Sequence, residues 1–137
     1  MGIISEQSSN LISATKSALQ AAIEACGPFK PYNGIGKAIT EVATKHQFTV
    51  VKGLSGHGVG REYHQHPMIL HIENEDPGEM APGTVFTIEP CLSEGNGEYS
   101  VDPTDSWSLY SSDGARAAQE EHTIMITNTG VEVLTQL

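Results

Sequence analysis

Apolar positions in the first part of the chain recur with a helical period. Ile12, Leu19, Ile23 and Cys26 fall on one stripe of the segment from Ser5 to Cys26, while Ala14, Ala18, Ala21, Ala22 and Ala25 keep its helix propensity high. Ser5 or Ser9 is placed to cap its start, and Gly27-Pro28 ends it. After a loop from Phe29 to Asn33, a second helix is predicted from about Gly34 to His46, with Asn33 as its cap and Ile35, Ile39 and Val42 as its apolar face. Beyond that the runs shorten to strands. They are Phe48–Val51 closed by Gly53, Thr84–Ile88, Glu98–Val101 after an Asn96-Gly97 turn, Trp107–Tyr110, Glu121–Thr127 and Val131–Thr135, the last two joined by Asn128-Thr129-Gly130. Between Gln65 and Gly83, prolines and glycines punctuate the acidic Glu73, Glu75, Asp76 and Glu79, which predicts an exposed loop. Helices followed by antiparallel hairpins read as an α+β fold, one layered domain over residues 1–137.

Composition narrows the partners. A formal net charge of −10, with only seven Lys and Arg in no cluster, argues against nucleic acid or an anionic membrane surface. Cys26 and Cys91 lie far apart in no metal or redox spacing, so both read as small core residues in a reduced chain. No apolar run reaches membrane-spanning length, and Met1-Gly2-Ile3-Ile4 lacks the charged lead of a signal peptide. A cytoplasmic chain is the expectation.

Three strings depart from what a core would prefer. His57 stands between glycines in Gly56-His57-Gly58-Val59-Gly60, Glu89 ends the β-rich run before Pro90, and Glu121 opens the run Thr123-Ile124-Met125-Ile126. A carboxylate at the end of a buried strand is costly unless it is paired or meets a cation. One histidine and two carboxylates suit Mn, Co, Fe or Zn. The glycine string is no phosphate loop, since it lacks the Gly-Lys-Ser/Thr ending and opens no helix. On alternation Glu89 shares a face with Val85 and Thr87, opposite Phe86 and Ile88, and Glu121 shares one with Thr123 and Met125. Taken alone, each residue has an ordinary reading too: His57 as loop surface, Glu89 as an exposed strand end. His66 and His71 read as surface or loop histidines.

In order, GHGVGREYHQHP, PGTVFTIEP and AQEEHTIMIT resemble the type I methionine aminopeptidases of the pita-bread metallopeptidase superfamily, over about Leu11 to Thr135. The resemblance implies that His57, Glu89 and Glu121 are metal ligands, that Glu89 is also the acid/base on the attacking water, and that His64 steadies the scissile peptide. Tyr63 and Trp107 match aromatic positions of the substrate pocket, with a core role equally open for each. Glu120 and Ala117 depart from the aromatic residue and serine common in the family. The implied activity is removal of initiator methionine from nascent polypeptide or peptide substrates.

The resemblance also implies that only the C-terminal half of the fold is present, because two aspartate ligands of the family precede the first helix. The complete family site holds two divalent ions (Co, Mn, Fe or Zn). Glu89 and Glu121 supply two negative charges, so at most one ion is expected here and the chain alone is expected to be inactive. An uncovered half-fold would seek the missing N-terminal half or a self-dimer. The alternative is an inactive relative, a binding module or pseudoenzyme.

Overall fold

The computed structural model describes residues 2–136, so Met1, where a leader reading would begin, lies outside the described residues. Two helices open the fold, α1 (Glu6–Ala25) and α2 (Asn33–Lys45). Ten short strands follow: β1 (Thr49–Val50), β2 (Ser55–Gly58), β3 (Gln65–Leu70), β4 (Val85–Ile88), β5 (Cys91–Ser93), β6 (Tyr99–Val101), β7 (Leu109–Ser111), β8 (Ala117–Gln119), β9 (His122–Ile126) and β10 (Val131–Val133). They form a five-stranded sheet in the order β10-β9-β4-β2-β3, a three-stranded sheet β1-β5-β8 and a β6-β7 ribbon, and every pairing is antiparallel. The fold is α+β, as the pattern predicts. Among the described residues no helix is long and apolar enough to cross a membrane.

Helix α1 starts where Ser5 accepts a hydrogen bond from the Ser8 N–H at 3.1 Å, which settles the choice of cap. Its buried face is Leu11, Ala14, Thr15, Ala18, Leu19, Ala22 and Ile23. Leu19, Ile23 and Cys26 of the predicted stripe are buried, whereas Ile12 is exposed and Leu11 is buried in its place. The alanines hide this in the sequence, because Ala fits a buried or an exposed helical site equally well. Asn33 is the first residue of α2 rather than its cap; Tyr32 holds the cap position without a side-chain bond. Ile35 and Ile39 are fully buried as expected. These two helical faces close over Phe86, Ile88, Ile124 and Ile126 of the central strands, with Ile69 and Leu92, to make one apolar core. Tyr32 stacks edge-on against Phe86 with ring centroids 5.5 Å apart.

The stretch predicted as an exposed loop between Gln65 and Gly83 is in part structured and buried. Strand β3 occupies its start and pairs with β2, Ile69 lying opposite Gly56 and Met68 opposite His57. Ile69 and Met80 are fully buried. Pro67 is tolerated because β3 is the last strand of its sheet, where one N–H needs no partner. Helix α2 also approaches this stretch closely: a Cβ on Gly36 would lie 2.0 Å from the Ile72 carbonyl oxygen. Strands β5 and β8, three residues each, have no counterpart in the predicted pattern.

Candidate functional site

The central sheet assembles the three strings at one end. Strand β4 pairs with β9 from Val85 opposite Met125 to Ile88 opposite His122, and continuing that register by one residue sets Glu89 opposite Glu121. On the other side of β4 the ladder to β2 is short, with Gly58 opposite Phe86 as its pair. His57 therefore stands on β2 beside the Glu89 end of β4. A Cβ on Gly56 would lie 2.2 Å from the Thr87 carbonyl oxygen, and one on Gly58 would lie 2.2 Å from that of His66. The flanking glycines thus answer to close neighbouring backbones rather than to anything held by His57.

His57 Nε2 lies 3.7 Å from Glu89 Oε1, and the two side chains are 15% and 23% exposed. Thr87 links them: its hydroxyl oxygen accepts the His57 backbone N–H at 3.0 Å, and its hydroxyl donates to Glu89 Oε1 at 2.9 Å. His57 Nδ1 is 3.2 Å from its neighbour's carbonyl, Gly58 O. A proton placed there leaves the Nε2 lone pair on the Glu89 side, the arrangement of a metal-binding imidazole whose other nitrogen is tied to a backbone oxygen. His64 packs edge-on against His57 with centroids 4.2 Å apart, and Tyr63 lies 4.7 Å from His64 and 5.6 Å from His57. A cavity of about 410 Å³ opens here, with His57, His64, Glu89 and the β3 residues His66 and Met68 on its walls.

Burial pushes the Glu89 carboxyl above the usual carboxylate range. The Thr87 hydroxyl opposes that rise, the Glu121 charge adds to it, and His57 and His64 oppose it further. A half-buried carboxylate made reluctant to ionise by burial, and to a lesser degree by a second carboxylate, is a group poised to exchange a proton or to meet a cation.

Each predicted residue has a place. His57 and Glu89 pair directly. Glu121 is exposed in cross-strand register with Glu89, its Oε2 accepting from Gln119 Nε2 at 3.3 Å. His64 and Tyr63 form the exposed rim. Tyr63 and Trp107 are 74% and 84% exposed, which removes the core reading for both. Trp107 lies in the connection between β6 and β7, two residues before the strand predicted to begin with it, in a shallow hollow with Leu109 and Tyr110 and not on the walls that carry His57. His66 is exposed but belongs to β3, not to a loop.

His71 corrects the sequence reading outright. It is 2% exposed, and its Nε2 accepts the backbone N–H groups of Gly56 at 3.2 Å and Glu89 at 3.3 Å. Burial pushes it down to about 4, opposed only in part by the Leu54 backbone. The apolar run Met68-Ile69-Leu70 and Ile72 around His71 was the signal that could have shown it, and the prolines and acidic residues on either side masked that run.

Among the described residues no three His, Cys, Asp or Glu side chains converge tightly enough to form a ready metal cluster. The His57–Glu89 pair nevertheless has the donor chemistry of a divalent-ion site, a free imidazole nitrogen against a carboxylate.

The model of metallopeptidase family M24 matches residues 1–128. The chain is 41% identical over 135 residues to methionine aminopeptidase 1D, chloroplastic/mitochondrial, of Arabidopsis thaliana, covering 98% of this chain and 38% of that protein. It is 40% identical over 137 residues to a methionine aminopeptidase of Chlamydia trachomatis, covering 100% of this chain and 47% of that one. The crystal structure of methionine aminopeptidase from Rickettsia prowazekii superposes with a TM-score of 0.94 at 34% identity, over 98% of this chain and 55% of the other. The prolidase from Pyrococcus furiosus, at 23% identity and a TM-score of 0.75, shares the fold. The chain thus spans less than half the length of these curated relatives and matches about half of a pita-bread fold.

Proposed function

The chain belongs to metallopeptidase family M24, and from that premise we propose that residues 1–137 act as one unit of a methionine aminopeptidase site. The activity is cleavage of the first peptide bond of polypeptides that begin with methionine. The observation that carries this reading is the His57–Glu89 pair, 3.7 Å apart and bridged by Thr87, with Glu121 next in register.

In this reading His57 Nε2, Glu89 and Glu121 hold a divalent ion such as Co, Mn, Fe or Zn. When bound, such an ion supplies Lewis acidity that makes water more acidic and polarises a carbonyl. Glu89, with its carboxyl already held above the usual range, accepts the proton of the attacking water at its carboxylate and passes it to the departing amine. His64, on the exposed rim beside His57, donates a hydrogen bond to the scissile peptide. Tyr63 borders the methionine side chain, and Trp107 in the connection between β6 and β7 lies farther out. Two carboxylates balance one ion, so a second requires acidic ligands from outside this set, from further sequence or from another chain. The two unpaired thiols suit a reducing compartment such as the cytoplasm.

The test is a titration of the chain with cobalt or manganese beside a Met-Gly-Met peptide assay. We expect one ion per chain and no turnover by residues 1–137 alone. Turnover should appear when the portion of a relative that this chain does not span is added, and Glu89→Ala should abolish it. A chain that binds no cobalt would overturn the metal reading. Turnover by the chain alone that dies with Glu89→Ala would overturn the one-ion reading.

A further inference from the structure

We propose that His71 is a positioning residue that holds the backbone at Gly56 and Glu89, and so sets the distance between the two donors His57 and Glu89. The inference rests on the reading of that pair as metal-facing. The sheet itself does not supply this restraint. Between β2 and β4 the ladder is recorded at Gly58 opposite Phe86, and toward Gly56 and Glu89 the two strands need another acceptor. The His71 imidazole takes that place. Its one unprotonated nitrogen accepts from Gly56 N–H at 3.2 Å on β2 and from Glu89 N–H at 3.3 Å just beyond β4.

Three further features make this a fixed brace. His71 is 2% exposed, so no water stands ready to replace it at those two amides. For Nε2 to accept, the proton must sit on Nδ1, which is buried as well. A phenylalanine would fill the same space without burying a polar ring. What phenylalanine cannot do is accept two amide protons. The two amides belong to the residue before His57 and to Glu89 itself, so the ring acts on the donors through their main chain. Thr87 acts in parallel through a side chain, its hydroxyl meeting the Glu89 carboxylate.

The first measurement needs no variant. In the chain labelled with nitrogen-15, His71 at neutral pH should carry its proton on Nδ1, with couplings across hydrogen bonds from the Gly56 and Glu89 amides to Nε2. A proton on Nε2 would overturn the proposal. The second compares His71→Phe, which keeps the ring volume, with His71→Gln, whose carbonyl oxygen reaches close to the Nε2 position. His71→Phe should weaken cobalt binding about 10- to 100-fold, the usual effect of losing a group that orients a ligand. It should also speed hydrogen exchange at Gly56 and Glu89 more than elsewhere. His71→Gln should restore most of both. Gln behaving like Phe, or Phe binding cobalt as the parent does, would refute the role. If His71→Phe does not fold, the parent's tautomer and couplings together with exchange in His71→Gln decide. A parent chain that takes up no cobalt refutes the metal reading, while the couplings still judge the brace.

Discussion

Strands β4 and β9 present two unlike faces to the rest of the molecule. Phe86 and Ile88 of β4, with Ile124 and Ile126 of β9, point toward the helices and are fully buried there. Thr87 and Glu89, with Glu121 across from Glu89, alternate to the opposite side, where the polar contacts to His57 are made. The helical face is apolar and its packing is closed. The other face holds a carboxylate that burial makes reluctant to ionise, beside a second carboxylate. Because side chains alternate with a period of two, a register slip of one residue would exchange the faces and lose both core and site. The apolar core and the polar cluster around His57 are built by neighbouring residues of the same strands, on opposite sides. The difference predicts that substitutions on the two faces will separate cleanly in their readouts.

The strongest attempt to break this separation is on the helical side. Phe86 is fully buried and stacks against Tyr32, so Phe86→Ala should cost about 3–5 kcal/mol of stability in urea unfolding. The fraction that remains folded should still bind cobalt with the parent's affinity. A parent-like urea midpoint would show that Phe86 is not in the core. Weakened binding by the folded fraction would show that the faces are coupled.

The opposite change sharpens the comparison from the other side. Glu89→Gln keeps the shape and the contact with Thr87 while removing the charge, and it should abolish metal binding. Burial raises the Glu89 carboxyl, so its charge opposes folding above the ordinary carboxylate range, and that opposition disappears with the charge. Thermal unfolding of the metal-free variant should therefore lie at or above the parent's temperature. A clear drop would mean that the carboxylate stabilises the fold, and that stability is not confined to the helical face.

The sequence made this division partly legible. Period-two alternation before Pro90 put Glu89 with Thr87 and opposite Phe86, and the structure has Thr87 bonded to Glu89 while Phe86 is buried. The family resemblance singled out His57, Glu89 and Glu121, although periodicity alone could not say which β-strand faces which. The register between β4 and β9 supplies that, because it joins residues more than thirty apart in the chain. His71 was masked for a related reason. The apolar run Met68-Ile69-Leu70 and Ile72 around it is flanked by prolines and acidic residues, and its burial depends on β3 pairing with β2 and on Gly36 admitting the Ile72 backbone. In α1 the error was smaller. Leu11 is buried and Ile12 exposed, a difference at one position that an alanine-rich helix tolerates without altering its pattern.

The smallest expected effect concerns a thiol embedded in the helical face. Cys26 is 5% exposed, its thiol donates to the Ala22 carbonyl oxygen at 3.2 Å, and it belongs to the same apolar core as Leu19 and Ile23. Burial pushes the thiol up to about 12 from its ordinary 9.0, opposed only in part by the charge of Lys30. The folded chain therefore keeps the proton where the unfolded chain releases it. The contribution to stability is fully present below pH 9.0 and is lost as pH rises toward about 12. At pH 10, one unit above the unfolded value, the loss is about 1.4 kcal/mol. Lysines and tyrosines titrate in the same range, so the quantity to measure is parent minus Cys26→Ala, by urea unfolding at pH 8 and pH 10. The difference should shrink by about that amount at the higher pH. Metal binding cannot mask the result if chelator is present throughout, because the thiol lies among the helices and not at the His57–Glu89 pair. A difference that stays constant with pH would mean that the helical face opens enough to solvate a thiolate, and the contrast between a closed apolar face and a polar one would fail on its closed side.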